Sequence, residues 1–211
     1  LDLLRAEMPG LVIENCASGG NRHEPSIVGR CAMTSFSDAC ETVDIPIIAG
    51  NLQYLLPARK TLVWAVLRTD DTRRRLAYSM AATILGRMCL SGDIHQLSPE
   101  QWQMVEEGMA LYREVFEIIR DGRARRVGDP VLNYHHPKGW QAVVRHHDDQ
   151  LLVVVHHFEF LDAEVGMPAG SWRIKKVFQS GSRPPEIDGN TLRCFADNAF
   201  SGQVIWLTEQ E

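Results

Sequence analysis

Two short segments hold side chains whose types and spacing suit chemistry on a polar ligand. The first, Glu14-Asn15-Cys16-Ala17-Ser18-Gly19-Gly20-Asn21-Arg22, follows the apolar run Leu11-Val12-Ile13. A glycine pair lets a ligand approach backbone N–H groups closely, and the small side chains of Cys16 and Ser18 can shape a pocket wall. The same residues also make a tight turn over a buried cysteine, and a lone glycine pair leans toward that simpler reading. The second segment, Ser37-Asp38, ends another apolar run over residues 32–36. Its carboxyl can face the same hollow, or it can cap a following helix.

Other candidates are weaker. Six of the eight histidines fall in tandem pairs: His135-His136, His146-His147 and His156-His157. Adjacent residues in a strand point to opposite faces, so such a pair cannot close on one metal. Strand-end and surface histidines are the expectation, with no metal site. The runs Arg73-Arg74-Arg75 and Arg120 to Arg126 lack interleaved aromatics, and the net charge is -5. Solvated helix ends or interdomain salt bridges fit them better than a nucleic-acid surface, which needs clustered positive charge. No G-x-S-x-G is present, and Cys16 has no sequence signal for a paired base. The five cysteines are scattered without C-x-x-C spacing, which disfavours a zinc knuckle or disulfide framework and suits a reducing, cytoplasmic setting.

These residues need a scaffold. The 211 residues are 45% hydrophobic and 23% charged, the composition of a globular protein rather than a collagen-like or disordered one. No apolar run reaches membrane-span length. Residues 1–8 read as the tail of an amphipathic helix without an initiator Met, which predicts a piece of a longer protein. Buried strands opening into small-residue loops over residues 11–13 and 32–36, with further strand-like or buried segments at 52–56 and 62–67, indicate a parallel α/β arrangement. The spacing of Leu76, Ala77, Met80, Ala81, Ile84, Leu85 and Met88 predicts one amphipathic helix. A second opens at Ser98-Pro99-Glu100-Gln101 with N-cap, first-position proline and capping box, and runs to Asp121-Gly122. From about Arg126 the period shortens to alternating strands separated by turn signals, an antiparallel β reading. The expectation is an α/β part over residues 1–125 and a β-sandwich domain over 126–211.

Taken together, these segments resemble glycoside hydrolase family 36, the α-galactosidases. Residues 13–22 resemble the family segment E-[NS]-C-[AS]-S-G-G-x-R, and Ser37-Asp38 matches its later serine–aspartate step. Leu85-Gly86-Arg87, Ser91-Gly92 and Leu97-Ser98-Pro99-Glu100-Gln101 are similar to the family's last barrel helices. The resemblance implies the later βα units of a (β/α)8 TIM barrel followed by a C-terminal antiparallel β-sandwich. It implies Asp38 as general acid/base, with Cys16, Ser18 and Gly19 lining the galactose site. Arg22 is either a substrate contact or a brace of its loop. The implied substrate is an α-galactoside oligosaccharide, with no cofactor, nucleic acid or membrane partner. A retaining glycosidase uses two carboxyl groups about 5–5.5 Å apart, one as nucleophile and one as acid then base. The family's nucleophile belongs to an earlier barrel strand, and no Asp here matches it. The chain is therefore expected to be inactive alone, and to form a homo-oligomer or pair with a missing N-terminal part.

Departures narrow the resemblance. Ser35 stands where many members carry a tryptophan, and Glu24 replaces the usual aspartate after Arg22. A raffinose-synthase-type galactosyl transferase would use the same Asp38. A non-catalytic carbohydrate-binding or assembly fragment would instead use Trp140, Trp172 and Trp206, although tryptophans in such strands are more often core.

Overall fold

The computed structural model of the protein describes residues 1–16 and 18–210. The chain runs α1 (Asp2–Glu7), β1 (Glu14–Asn15), α2 (Pro25–Val28), β2 (Met33–Ser35), α3 (Asp44–Leu52), β3 (Thr61–Leu67), α4 (Arg73–Thr83) and β4 (Arg87–Gly92). It continues through α5 (Pro99–Glu114) and α6 (Phe116–Asp121). An all-strand part follows: β5 (Arg123–Val127), β6 (Trp140–His147), β7 (Gln150–His157), β8 (Ala163–Gly166), β9 (Trp172–Gln179), β10 (Glu186–Asp188), β11 (Thr191–Cys194) and β12 (Ser201–Glu209).

β1 to β4 form a parallel sheet in sequential order, Asn15 opposite Thr34, Ser35 opposite Leu62, and Leu67 opposite Gly92. Sequential parallel strands need a crossover behind each one, and the helices supply it. All four carboxyl ends therefore open on one edge. The later strands make a five-stranded sheet, β5-β6-β7-β12-β9, and a three-stranded sheet, β10-β11-β8, all antiparallel.

The strand period explains how the two parts share the molecule. Leu151, Val153 and Val155 on β7, with Ile205 and Leu207 on β12, enter a core closed by Val165, Leu192 and Cys194 of the smaller sheet. The alternate residues Leu152, Val154, Val204 and Trp206 point the other way, into the core built around α4. Both faces of these strands are covered, so their sequences are almost continuously apolar. Helix α4 lies between β3 and β12 and is buried from Leu76 to Thr83. Gly202 makes that approach possible, because a Cβ there would stand 2.8 Å from Tyr78 Cα.

The helix N-terminus at Ser98 forms as its residues dictate. Ser98 Oγ accepts from Gln101 N at 3.2 Å, and Ser98 N donates to Gln101 Oε1 at 2.9 Å. Several expectations are corrected. The helix over residues 76–88 stops at Thr83, and Met88 lies in β4. Residues 52–56 are the end of α3 and a turn, not a strand. Leu11 and Val12 are exposed, and only Glu14 and Asn15 are in strand β1. The long helix breaks at Val115. The all-strand part begins at Arg123.

The histidine expectation is corrected at one pair. His156 and His157 are fully buried, not at the surface. They do face opposite ways: His156 Nε2 meets Tyr78 O on α4 at 3.2 Å, and His157 Nδ1 meets Leu161 O at 2.9 Å. Burial pulls the His156 pKa down to about 3 and that of His157 in the same direction. The folded state thus binds fewer protons than the unfolded chain, whose histidines titrate near 6.5. Stability is full above pH 6.5 and falls as the pH drops toward 3, by about 1.4 kcal/mol per pH unit for His156 alone. Urea midpoints at pH 7 and pH 5 check this; equal midpoints contradict it.

Candidate functional site

The carboxyl edge of the parallel sheet gathers the loop after β1 and the turn after β2. Asn15 is the buried end of β1, and its amide Nδ2 donates to Thr34 Oγ1 on β2 and to Arg22 O, each at 2.9 Å. The strand end, the neighbouring strand and the far end of the loop are thus tied by one side chain. Arg22 Nη1 donates to Cys16 O at 3.2 Å, closing the loop on itself. His23 is buried and its Nε2 meets Ser35 O at 2.8 Å. Glu24 then caps α2, its carboxylate accepting from Ser26 N and Ile27 N at 3.1 Å.

The loop tip needs unusual backbone. Ser18, Gly19 and Gly20 have φ of 46°, 69° and 97°. Glycine takes up such values freely, while Ser18 adopts the left-handed conformation at some cost. Gly19 is turned toward the next strand end. A Cβ on Gly19 would stand 3.6 Å from Asp38 Oδ2, its nearest neighbour. That is ordinary van der Waals distance, so the loop tip and the Asp38 carboxylate lie side by side.

Asp38 is exposed and does not begin a helix. The next helix, α3, starts at Asp44, and the nearby Ala39 N–H is taken by Ser37 Oγ at 3.1 Å. The capping alternative for Asp38 is thereby replaced by a carboxylate standing over the sheet edge. Trp64 of β3 supports this turn from below: Nε1 donates to Ala39 O at 2.7 Å, and its ring meets Phe36 edge-on at 4.6 Å. The thiol of Cys16 is exposed, which corrects the buried-cysteine reading of the loop.

The structure thus brings Gly19 and Asp38 together and uses Arg22 within its own loop. It also assigns bracing work to Asn15 and His23, which sequence reasoning passed over. Asn15 had a readable signal, a polar residue ending an apolar run. His23 had none, since only the fold brings it to the Ser35 carbonyl. Trp172 and Trp206 are buried, and Trp140 packs at the edge of the core between the two antiparallel sheets. Among the described residues no three His, Cys, Asp or Glu side chains form a metal-binding group.

No family model matches the chain. It is 29% identical over 164 residues to the probable α-galactosidase G of Aspergillus terreus, covering 75% of this chain and 22% of that protein. It is 24% identical over 197 residues to α-galactosidase AgaA of Geobacillus stearothermophilus, covering 90% of this chain and 25% of AgaA. Among solved structures, an AgaA variant of family GH36 in complex with 1-deoxygalactonojirimycin superposes with a TM-score of 0.76. That match has 16% identity and covers 99% of this chain and 30% of the other. The α-galactosidase of Lactobacillus brevis gives a TM-score of 0.75 at 16% identity, over 100% of this chain and 30% of that one. The chain spans a quarter or less of the length of these two curated relatives.

Proposed function

We propose that this chain belongs to glycoside hydrolase family 36 with the α-galactosidases it is similar to, and that it supplies the general acid/base of a retaining α-galactosidase. Asp38 is that group. The observation carrying the proposal is the exposed Asp38 carboxylate beside bare Gly19 at the carboxyl edge of a parallel sheet, where α/β barrels place their chemistry.

The parallel sheet is taken as the later part of a (β/α)8 barrel. Its four strands, parallel and in sequential order with helical crossovers, support this. Residues 126–211 are assigned to a β-sandwich domain packed on the barrel through α4.

In the proposed reaction, Asp38 protonates the departing glycosidic oxygen while a second carboxylate attacks the anomeric carbon. It then takes a proton from the water that releases galactose. No residue of the 211 matches the family's nucleophile, so the second carboxyl is placed outside this chain. Cys16, Ser18 and Gly19 line the sugar side, and Arg22 braces the loop. The substrate is a terminal α-galactoside of an oligosaccharide; variants of the similar α-galactosidase AgaA are seen in complex with raffinose and stachyose.

The anomer first released by the full-length protein tests this reading. Proton NMR is expected to show α-galactose before mutarotation, and β-galactose as first product contradicts retention. The 211-residue chain alone is expected to show no turnover of an aryl α-galactoside. Measurable hydrolysis by it overturns the placement of the nucleophile.

A further inference from the structure

Arg145 lies on β6, on the same face as Gln141 and Val143, and is 5% exposed. Its Nη1 donates to Gly122 O at 3.2 Å and its Nη2 to Gln53 Oε1. These bonds engage two of its five N–H donors, and both acceptors are neutral. Among the described residues no carboxylate pairs with it, and burial alone pulls its pKa down to about 10. A charge taken out of water without a counter-ion is costly. The C-terminal end of α6, reached through Gly122 O, offsets part of that cost with its partial negative charge.

Arg145 lines a cavity of about 290 Å³ together with Tyr54, Arg59, Arg120, Asp121 and Gly122. Arg120 is already neutralised by Asp121 at 2.7 Å and Glu117 at 3.8 Å. Arg59 is exposed and makes no ion pair among the described residues. The wall therefore holds three guanidinium groups and one carboxylate, an excess of two positive charges. Arg59 lies two residues before β3, so the cavity lies at the amino edge of the parallel sheet, opposite the edge that carries Asp38.

We propose that this cavity binds a phosphate group, either free or as the monoester of a small metabolite. A tetrahedral dianion balances the two unpaired guanidinium charges, and the planar fork of arginine matches its oxygens. The cavity exceeds what a bare phosphate needs, which leaves room for an organic substituent beside Tyr54.

Calorimetric titration of the full-length protein with inorganic phosphate, and separately with a hexose 6-phosphate, at constant ionic strength tests the proposal. One-to-one saturable binding of either is expected, and the tighter of the two identifies the source. Arg59→Gln removes an exposed side chain and is expected to weaken binding about tenfold, as losing one charge-assisted hydrogen bond does. Arg145→Met is expected to weaken it at least as much; if that variant fails to fold, Arg59→Gln decides. Absence of saturation with both probes overturns the site, and so does unchanged affinity in Arg59→Gln. Either result leaves Arg145 as a pin between two helix ends.

Discussion

Asp38→Asn in the full-length protein is expected to lower kcat/KM on raffinose by about 10²- to 10⁴-fold, the usual contribution of a positioned acid/base. The same variant is expected to lose far less in the first chemical step on an aryl α-galactoside with an acidic phenol as leaving group. Such a phenolate departs without a proton, so loss of the acid matters little there. The two substrates together separate an acid/base from a residue that only shapes the pocket, whose loss would depress both alike. The protein should fold normally, because Asp38 is exposed and the turn around it is held by Ser37 and Trp64. Steady-state rates on the two substrates check this. Equal losses, or no loss on raffinose, contradict the role.

Gly86→Ala is expected to be strongly damaging to the α/β part. A Cβ on Gly86 would overlap the Thr61 carbonyl oxygen and stand 2.9 Å from Val63 Cγ2. The obstacle is backbone at the start of β3, so no rotamer change relieves it. Either β4 moves away from β3 or the chain between α4 and β4 is rebuilt. Overpacking of a fixed core costs about 1–3 kcal/mol, and movement of β4 adds lost ladder hydrogen bonds at about 1 kcal/mol each. A loss of about 3 kcal/mol or more is expected in the urea midpoint. A change within about 0.5 kcal/mol, the ordinary range for neutral surface substitutions, contradicts the packing account.

The same glycine shows why part of the fold was not legible in the sequence. Ile84, Leu85 and Met88 continue the apolar spacing of α4, so local pattern alone extends the helix through them. What ends it is the close approach of Gly86 to Thr61, a contact between segments distant in sequence. The capping box at Ser98 was fully legible because all of its partners lie within four residues. The buried pair at His156-His157 was hidden for the opposite reason: burial there depends on α4 covering one face of the sheet and the segment around Leu161 covering the other.

At the site, residue types announced the loop and the carboxyl and allowed them one shared hollow, without deciding between that and a helix cap. Asp38 followed by a helix-forming stretch suits a cap equally well, and only the delayed start of α3 at Asp44 decides otherwise. The bracing of the loop by Asn15 and His23 is likewise a property of paired strands. It requires β1 and β2 to be neighbours in parallel register, which places Thr34 and Ser35 within reach.

A crystal structure of the full-length protein with a galactose-configured iminosugar bound tests the central claim most directly. The account predicts the sugar ring against Gly19, with an Asp38 oxygen about 2.6–3.2 Å from the position of the glycosidic oxygen. A ligand seated elsewhere, with Asp38 facing only solvent and another carboxyl over the leaving group, would contradict it.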